Sequence, residues 1–382
     1  MALSFSHDPE LTLGRKIWQI PWMFVLLVAM TASVGFVMLY SAAGGNLDPW
    51  TSRQMPRFGV GLAVMLVVAV TDIRLWLRYA YVFYGLSLAL LLAVEFVGTV
   101  GMGAQRWIDL GFVSVQPSEI AKVTMILALA RYFYASRVED VGRLTHLFVP
   151  ALLIAAPVIL VLNQPDFGTA ALLLFTGVVL LFLAGVRAWL FTAAGLAAVA
   201  AIYPVWQFVL LDYQKARVLT YFRPENDPLG AGYHILQSKI ALGSGGLFGK
   251  GFLQGSQSHL NFLPEKQTDF IFTMLAEEFG MAGGFGLLGL YLLLLIYGFA
   301  ISLRCTNHFG RLVGMGVTSA LFLNIFVNVA MVMGLVPVVG MPLPLISYGG
   351  TAMLMLLFSF GLLMCVYVHR DVTLGPGAAS GD

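Results

Sequence analysis

The chain has 382 residues, of which 59% are hydrophobic and only 10% are charged, and its formal net charge is +2. Soluble domains carry about 25% charged residues, so this composition excludes an ordinary soluble protein and indicates a membrane protein. The basic residues are scattered through loops and form no patch, which excludes nucleic acid as a partner.

Apolar runs long enough to cross a bilayer core of about 30 Å fill most of the chain. They predict an all-α polytopic membrane protein of about ten transmembrane helices in a single membrane domain, residues 1–382. The predicted spans are 18–41, 58–72, 78–98, 117–135, 146–163, 168–185, 188–211, 269–302, 312–335 and 349–368. The first span is too long for a signal peptide and has no clear cleavage site, so we expect it to be retained.

The orientation follows from the lysines and arginines of the short loops. With the N-terminus inside, the cytoplasmic segments contain Arg15, Lys16, Arg74, Arg78, Arg131, Arg137, Arg143, Arg187, Arg304, Arg311 and Arg370. The short outer loops contain only Arg53, Arg57 and Arg106. Both termini are therefore predicted to be cytoplasmic, in the inner membrane of a bacterium. The cysteines, Cys305 and Cys365, lie near cytoplasmic span ends, which predicts neither a disulfide framework nor a metal site.

Two predicted outer segments are too polar or too irregular to be spans. Residues 212–268 form a long loop rich in Gly, Pro, Gln and charge, and a loop of this length can be translocated despite its basic residues. Residues 337–350 contain too many Pro and Gly for a regular helix. Irregular backbone at membrane depth survives only where protein buries it or where it lines a wet cavity.

The fourth predicted span opens with Gln116-Pro-Ser-Glu119-Ile-Ala-Lys122. Glu119 and Lys122 are three residues apart on one helical face and are expected to form an ion pair. Charges inside a span are expensive in lipid, so the pair either holds helices together as a neutralised unit or forms the polar wall of a substrate cavity.

The segment Asn163-Gln-Pro-Asp166-Phe-Gly-Thr169 joins the fifth and sixth predicted spans with almost no room for a loop. Asp166 either caps the sixth helix or lines the same cavity as Glu119. The stretch 243–251 is rich in glycine but fails the Walker pattern at Ser244 and Gly251, so no nucleotide is expected there. A glycine-rich turn can still cradle a lipid-linked pyrophosphate through its backbone amides.

The densest polar group lies where the long loop meets the eighth predicted span, in Leu263-Pro-Glu265-Lys-Gln-Thr268-Asp269. Thr268 is a suitable N-cap and Asp269 suits a first turn, so capping explains both residues. Capping does not explain why so many acids, Glu277 and Glu278 included, precede and enter an apolar span. A partly buried carboxylate at the water–lipid boundary has a raised pKa and can act as a general base.

Eight motifs in order along the chain resemble the SEDS family (shape, elongation, division and sporulation), whose members are membrane glycosyltransferases. The motifs are Gln105-Arg-Trp107, Gln116-Pro-Ser-Glu119-x-x-Lys122, Gln164-Pro-Asp-Phe-Gly-Thr169, Gln237-Ser238, Gly243-Ser-Gly-Gly246, Leu263-Pro-Glu265, Thr268-Asp-Phe-Ile-Phe272 and Ser347-Tyr-Gly-Gly350. The stretches 276–278 and 334–344 are more similar to the elongation members than to the division members. Gln267 departs from the family, in which many relatives have His, so the resemblance leaves Asp269 as the base candidate.

The resemblance implies that the chain polymerises lipid II into glycan strands during cell elongation and releases undecaprenyl pyrophosphate. It implies a catalytic cavity open to the periplasm, Asp269 as the catalytic carboxylate, and Glu119, Lys122 and Asp166 in the cavity lining. It also implies a working complex with a class B penicillin-binding protein, besides contacts with lipid II, the growing lipid-linked glycan and membrane lipids.

Inverting transfer requires a base at the attacking hydroxyl and positive charge near the leaving pyrophosphate. The candidate cations, in falling order, are Arg106, Lys122, Arg217 and Lys239. No cofactor is predicted beyond a divalent cation, Mg²⁺ or Mn²⁺, that accompanies the pyrophosphate, and the sequence contains no dedicated cage of metal ligands. The rival hypotheses are a lipid II flippase and a non-catalytic scaffold of the elongation complex.

Overall fold

The structure, a computed structural model, describes residues 12–101, 104–109, 111, 114–137, 139–208, 215, 219, 231–260, 262, 265–372 and 374. Helices dominate these residues, as the hydrophobic pattern predicts. They are α1 (Leu13–Trp18), α2 (Trp22–Ala42), α3 (Thr51–Val70), α4 (Ile73–Val97), α5 (Pro117–Ala135), α6 (Leu144–Asn163), α7 (Phe167–Leu183), α8 (Ala188–Phe208), α9 (Ala231–Ser244), α10 (Ser256–His259), α11 (Ile271–Arg304), α12 (His308–Val332) and α13 (Gly350–Val368).

Eight of the helices in the described residues are long and apolar enough to cross a membrane: α2, α3, α4, α6, α8, α11, α12 and α13. α7 is apolar but shorter, with 17 residues. α5 has 19 residues and starts with Pro117 in its first turn, where the missing amide costs no hydrogen bond. These ten helices overlap the ten predicted spans in sequence, and the number of helices that cross the membrane stays a prediction. The largest difference is in α3, which begins at Thr51, before the predicted start at 58, and contains Pro56.

A small antiparallel sheet follows α4, and the sequence analysis predicted no strand there. Its strands are β1 (Thr99–Gly101), β2 (Ala104–Asp109) and β3 (Ser114–Val115), in that order. Trp107 pairs with Thr99, and Ile108 pairs with Val115. β1 and β3 have only three and two residues, and the six residues of β2, AQRWID, do not alternate between apolar and polar as a strand signal requires. The sheet carries Arg106 and leads directly into α5.

The predicted long loop, residues 212–268, contains regular structure. α9 packs against α11, and its buried Ser238 hydroxyl donates to the Val332 carbonyl over 2.7 Å and lies 2.8 Å from the Thr273 hydroxyl. Ile235 and Ala241 of the same helix are buried as well. Residues 231–244 of the predicted loop are therefore folded against the helix bundle. Residues 220–230 lie outside the described part of the chain.

α11 is 34 residues long and is broken at Gly280, where φ is 68° and ψ is −164°. The first part, Ile271–Phe279, is almost entirely buried, whereas the second part has the length of an ordinary span. The break makes the first part a separate buried half-helix.

Close helix contacts form the core of the bundle at glycines. A Cβ at Gly35 of α2 would lie 2.7 Å from the Ile346 Cα, so this glycine lets α2 lie directly on the backbone of the irregular segment 333–349. A Cβ at Gly361 of α13 would lie 2.8 Å from the Met65 carbonyl oxygen of α3. The first approach places α2 against the irregular segment, whose Leu343, Leu345 and Ile346 are buried as irregular backbone at membrane depth requires, and the second joins α13 to α3.

Candidate active site

A tight turn of residues 265–270 carries Asp269 just before α11 begins. Its carbonyl at Glu265 accepts hydrogen bonds from the amides of Thr268 (3.0 Å) and Phe270 (3.4 Å). Glu265 has a φ of 55°, a left-handed conformation that is uncommon for a residue with a side chain. Such strain persists only where the surroundings hold it in place.

Three groups from distant parts of the chain hold this turn. The Ser347 hydroxyl donates to the Thr268 carbonyl over 2.5 Å, and the Tyr348 amide donates to the Gln267 carbonyl over 2.9 Å. The fully buried Asn328 amide donates to the Asp269 carbonyl over 3.0 Å and to the Met341 carbonyl over 2.6 Å. The backbone of Asp269 is therefore anchored to α12 and to the irregular segment.

The carboxylate of Asp269 is largely surrounded by protein. A Cβ at Gly340 would lie 3.5 Å from its Oδ2 atom, so the glycine leaves room beside the acid. Burial, together with the negative charges of Glu265 and Asp166, raises the pKa of Asp269 to about 7. Desolvation is the largest of these causes, because it disfavours the charged form. At neutral pH this carboxyl group both releases and accepts a proton readily.

Asp166 is confirmed as a helix cap, whereas its place in a cavity shared with Glu119 stays a prediction. It is the N-cap of α7, where Oδ1 accepts from the Thr169 amide (3.2 Å) and Oδ2 accepts from the Thr169 hydroxyl (3.0 Å). It is also close enough to Asp269 to raise the pKa of that residue. Gly168 explains the proximity, because a Cβ there would lie 2.6 Å from the Val339 carbonyl oxygen beside Gly340.

Arg106 of β2 crosses to the same turn before α7. Its guanidinium lies 3.7 Å from Asp166 Oδ2 and donates to the carbonyls of Gln164 (3.2 Å) and Pro165 (2.6 Å). The side chain is 27% exposed. Arg106 thus neutralises Asp166 and keeps one side open to solvent, which places a cation near the carboxylates.

Glu119 and Lys122 form the predicted ion pair in the first turns of α5, with 2.7 Å between Nζ and Oε1. Both side chains are mostly buried, at 13% and 14% exposure. The structure therefore confirms a neutralised pair at this end of α5. Whether the pair also touches substrate stays a prediction.

The two remaining candidate cations are Lys239 and Arg217, for which the structure gives less support. Lys239 lies on α9 with its side chain over Gly334, at the entrance of the irregular segment that continues to Gly340. Arg217 lies outside the described residues. Neither residue has a described contact with Asp269.

The capping explanation of Thr268 and Asp269 is wrong. α11 begins at Ile271 with Phe270 at its N-cap, and the Thr268 hydroxyl bonds back to the Glu265 carbonyl (3.2 Å) and to Glu265 Oε2 (3.1 Å). The helix starts two residues later than the sequence suggests because the Glu265 turn uses Thr268 itself. Asp269 is therefore left without a capping role.

Several residues that hold the site were not singled out from the sequence. Gln54 of α3 donates to the Ser347 carbonyl over 3.2 Å, and Arg57 lies 5.2 Å from the centre of the Tyr348 ring. Asn328 was overlooked too, although a polar amide within an apolar span is a functional candidate by default. Glu277 and Glu278, grouped with Asp269 in the sequence, instead lie at the far end of the half-helix.

Among the residues that the structure describes, no group of three or more His, Cys, Asp or Glu side chains could hold a metal ion. The carboxylate oxygens near Asp269 are also engaged elsewhere, since Gln267 and Thr268 bond Glu265 and Arg106 pairs with Asp166. These groups do not form a resident metal cage.

The fold and the site define the class of helical membrane proteins that carry a buried carboxylate at one end of the bundle. Comparison with known proteins specifies the class further. Residues 21–372 match the family model FTSW_RODA_SPOVE, described as "Cell cycle protein". The chain belongs to this family.

The similar relatives include the peptidoglycan glycosyltransferase MrdB of Escherichia coli K12, which is 44% identical over 94% of this chain and 96% of its own. Stage V sporulation protein E of Bacillus subtilis is 34% identical over 90% of this chain and 96% of its own.

Two solved structures are similar to this chain. One chain, from a peptidoglycan synthase complex described as coordinating polymerization and crosslinking, superposes with a TM-score of 0.80 at 36% identity, covering 92% of this chain and 98% of that one. The rod shape determining protein RodA of Thermus thermophilus gives a TM-score of 0.70 at 33% identity, covering 93% and 98%. The resemblance to the SEDS family and to its elongation members is confirmed.

Proposed function

We propose that Asp269 is the general base with which this chain, a peptidoglycan glycosyltransferase, joins lipid-linked sugars. The observation that carries the proposal is a carboxylate with a pKa of about 7, held by its backbone at the end of a membrane bundle and free of a capping role. A base is most effective when its pKa lies near the working pH, because it is then both available and strong enough.

The reaction that we propose is a single displacement at an anomeric carbon. Asp269 removes the proton from the 4-hydroxyl of one lipid II sugar as that oxygen attacks the anomeric carbon of the growing lipid-linked glycan. The bond to undecaprenyl pyrophosphate breaks, and the pyrophosphate leaves with the electron pair. A single base and one displacement predict inversion at the anomeric carbon.

Positive charge near the leaving pyrophosphate lowers the barrier. Arg106 is the best supported cation, because its pair with Asp166 is longer (3.7 Å) and its side chain is 27% exposed. Lys122 is held more tightly by Glu119, at 2.7 Å, and is only 14% exposed. Lys239 and Arg217 are the remaining candidate cations for the pyrophosphate. A Mg²⁺ or Mn²⁺ ion that arrives with the pyrophosphate would add further positive charge.

We further propose that the chain works with a class B penicillin-binding protein in the bacterial inner membrane. Support comes from the similar chain found in a complex described as coordinating polymerization and crosslinking. The lysines and arginines of the short loops favour cytoplasmic termini, which would make the Asp269 end periplasmic.

Reconstitution distinguishes this function from its rivals. The purified chain in liposomes, alone and with its cognate penicillin-binding protein, is given labelled lipid II, and glycan polymer and transbilayer movement are measured separately. Polymer formation supports the proposal. Movement of lipid II without polymer favours a flippase, and activity of neither kind favours a scaffold.

A further inference from the structure

We propose that residues 245–257 form a clasp that positions Asp269 by locking the half-helix Ile271–Phe279 against rotation at Gly280. The inference rests on the proposed role of Asp269. The clasp residues take no part in the reaction itself. They contact the two sides of the break in α11.

The clasp replaces the backbone hydrogen bonds that the break removes. Two amides of the clasp, at Lys250 and Gly251, donate to the carbonyls of Glu277 and Glu278, each over 3.0 Å. Two carbonyls of the clasp accept from the amides that start the second part of α11, Met281 to Gly246 (2.9 Å) and Ala282 to Leu247 (3.0 Å). Both ends of the broken helix are thus bonded to one segment.

Glycines allow this close approach. A Cβ at Gly245 would overlap the Ala276 carbonyl oxygen, and a Cβ at Gly249 would overlap the Glu278 carbonyl oxygen. Gly249 also has a φ of 80°, which a side chain rarely adopts. The glycine-rich stretch that resembles a phosphate loop is therefore occupied by protein carbonyls.

A buried ion pair fastens the clasp. The Glu277 carboxylate is fully buried, and its Oε1 atom accepts from Lys250 Nζ (2.8 Å), from the Gln257 amide (2.8 Å) and from the Ser256 hydroxyl (3.4 Å). Next to it, Glu278 accepts from Ser41 of α2 over 2.5 Å. Moving the Glu277 carboxylate away from these donors would leave a buried charge without partners, which is costly. The carboxylate therefore resists displacement.

The half-helix converts a small rotation at Gly280 into a large displacement of Asp269. Its nine residues rise about 14 Å, so a rotation of about 4° moves the far end by about 1 Å. A misplacement of about 1 Å in a catalytic group can lower a rate by about a hundredfold. Asn328 and Ser347 hold the Asp269 turn at one end, and the clasp holds the other end.

The test compares matched pairs of variants in the full chain. Gly245→Ala inserts a Cβ into the Ala276 carbonyl, whereas Gly243→Ala, two residues away, adds a Cβ with no atom within 4 Å. Lys250→Ala removes the cation from Glu277, whereas Lys250→Arg keeps it. Lipid II polymerisation is measured for kcat and KM, together with the pH at which kcat is half-maximal and the thermal unfolding of each variant.

We expect Gly245→Ala and Lys250→Ala to lower kcat by tenfold or more with KM within about twofold, since binding groups are untouched. The pH midpoint should fall, because a loosened Asp269 turn admits water and lowers the pKa of that acid. Gly243→Ala and Lys250→Arg should behave as wild type.

Folded Gly245→Ala with wild-type kcat and pH midpoint would overturn the clasp, and so would an equal loss in Gly243→Ala. If Gly245→Ala does not fold, Lys250→Ala decides in the same way. An active Asp269→Asn chain would refute the proposed base and the clasp together. If Asp269→Asn is inactive but the clasp variants behave as wild type, only the clasp is refuted.

Discussion

Asp269 combines a rigid backbone with a carboxylate whose ionisation is finely balanced. Its main chain is bonded to Asn328, and the residue before it is bonded to Ser347. Its pKa of about 7 reflects burial first and the carboxylates of Glu265 and Asp166 second. Asp166, Asn328 and Ser347 are far from Asp269 in the chain, so their effect on it could not be predicted from local spacing.

The pH dependence of turnover tests this residue. A general base must be deprotonated, so kcat should rise with pH and level off above about 7. Glu265→Gln removes one negative neighbour and should move the midpoint of this rise to lower pH. Turnover of both proteins is measured across about pH 5 to 9, the range that spans such a titration. A flat profile in the wild type would contradict the assignment.

Stability should respond to the same titration. The pKa of Asp269 is raised in the folded state relative to its ordinary value of 3.8, so the folded state binds the extra proton between about pH 4 and 7. Stability from this group is therefore full below about pH 4 and is lost as pH rises through about 7. Thermal unfolding of wild type and Asp269→Asn should converge at low pH and differ, in favour of Asn, above pH 7.

The Glu119–Lys122 pair gives a prediction about stability as well as activity. Removing one partner leaves the other charge in a mostly buried site, so Lys122→Ala should cost on the order of 3 kcal/mol. The matched control is Arg143→Ala, which breaks the exposed Arg143–Asp140 pair of the same spacing and should cost under about 1 kcal/mol. The free energies of unfolding of Lys122→Ala and Arg143→Ala are compared in the same detergent. Equal, small losses would mean that the first pair is effectively solvated.

The positions of the apolar helices were predictable from the sequence, whereas the small sheet and the break inside α11 were not. Apolar runs located all ten helices, because a bilayer demands long apolar stretches. The sheet at residues 99–115 was missed because β1 and β3 are very short and the six residues of β2 do not alternate between apolar and polar. The break at Gly280 was missed because a single glycine inside a helix is usually tolerated, and here the partner that stabilises the break comes from residues 245–251.

The contact of α2 with the irregular segment yields an element-scale prediction. Gly35→Ala places a Cβ 2.7 Å from the Ile346 Cα, and backbone cannot yield as a flexible side chain does. Overpacking of this kind costs about 1–3 kcal/mol. Gly85→Ala in α4 meets no atom within 4 Å and should be neutral or slightly stabilising. Thermal unfolding separates the two, and an unchanged Gly35→Ala would show that α2 can move away.

For the whole molecule, the orientation in the membrane follows from basic loops and stays a prediction. Both native cysteines are buried, so added cysteines can be labelled against a low background. Leu13→Cys and Phe248→Cys place thiols at positions that are 68% and 83% exposed, near the N-terminus and on the clasp. A membrane-impermeant maleimide should label Cys at 248 in intact spheroplasts and at 13 only after permeabilisation. The reverse pattern would invert the proposed topology.

The whole-molecule function was predictable because eight motifs keep their order along the chain, whereas the arrangement of the site required the fold. Local spacing predicted the Glu119–Lys122 pair and the Asp166 cap, and the structure confirms both. The meeting of Asp166 with Asp269 depends on Gly168 packing against residues 339–341, a contact between segments about 170 residues apart. No periodicity in the sequence encodes such a contact.

Turnover by Asp269→Asn tests the central claim most directly. Asn keeps the size of the side chain and leaves the backbone bond to Asn328 intact, but it cannot accept a proton at neutral pH. The account predicts a folded chain that still binds its penicillin-binding protein and forms glycan from lipid II at least about 10²- to 10⁴-fold more slowly. Polymerisation at a rate near that of the wild type, by protein with unchanged thermal unfolding, would contradict the assignment of Asp269 as the base.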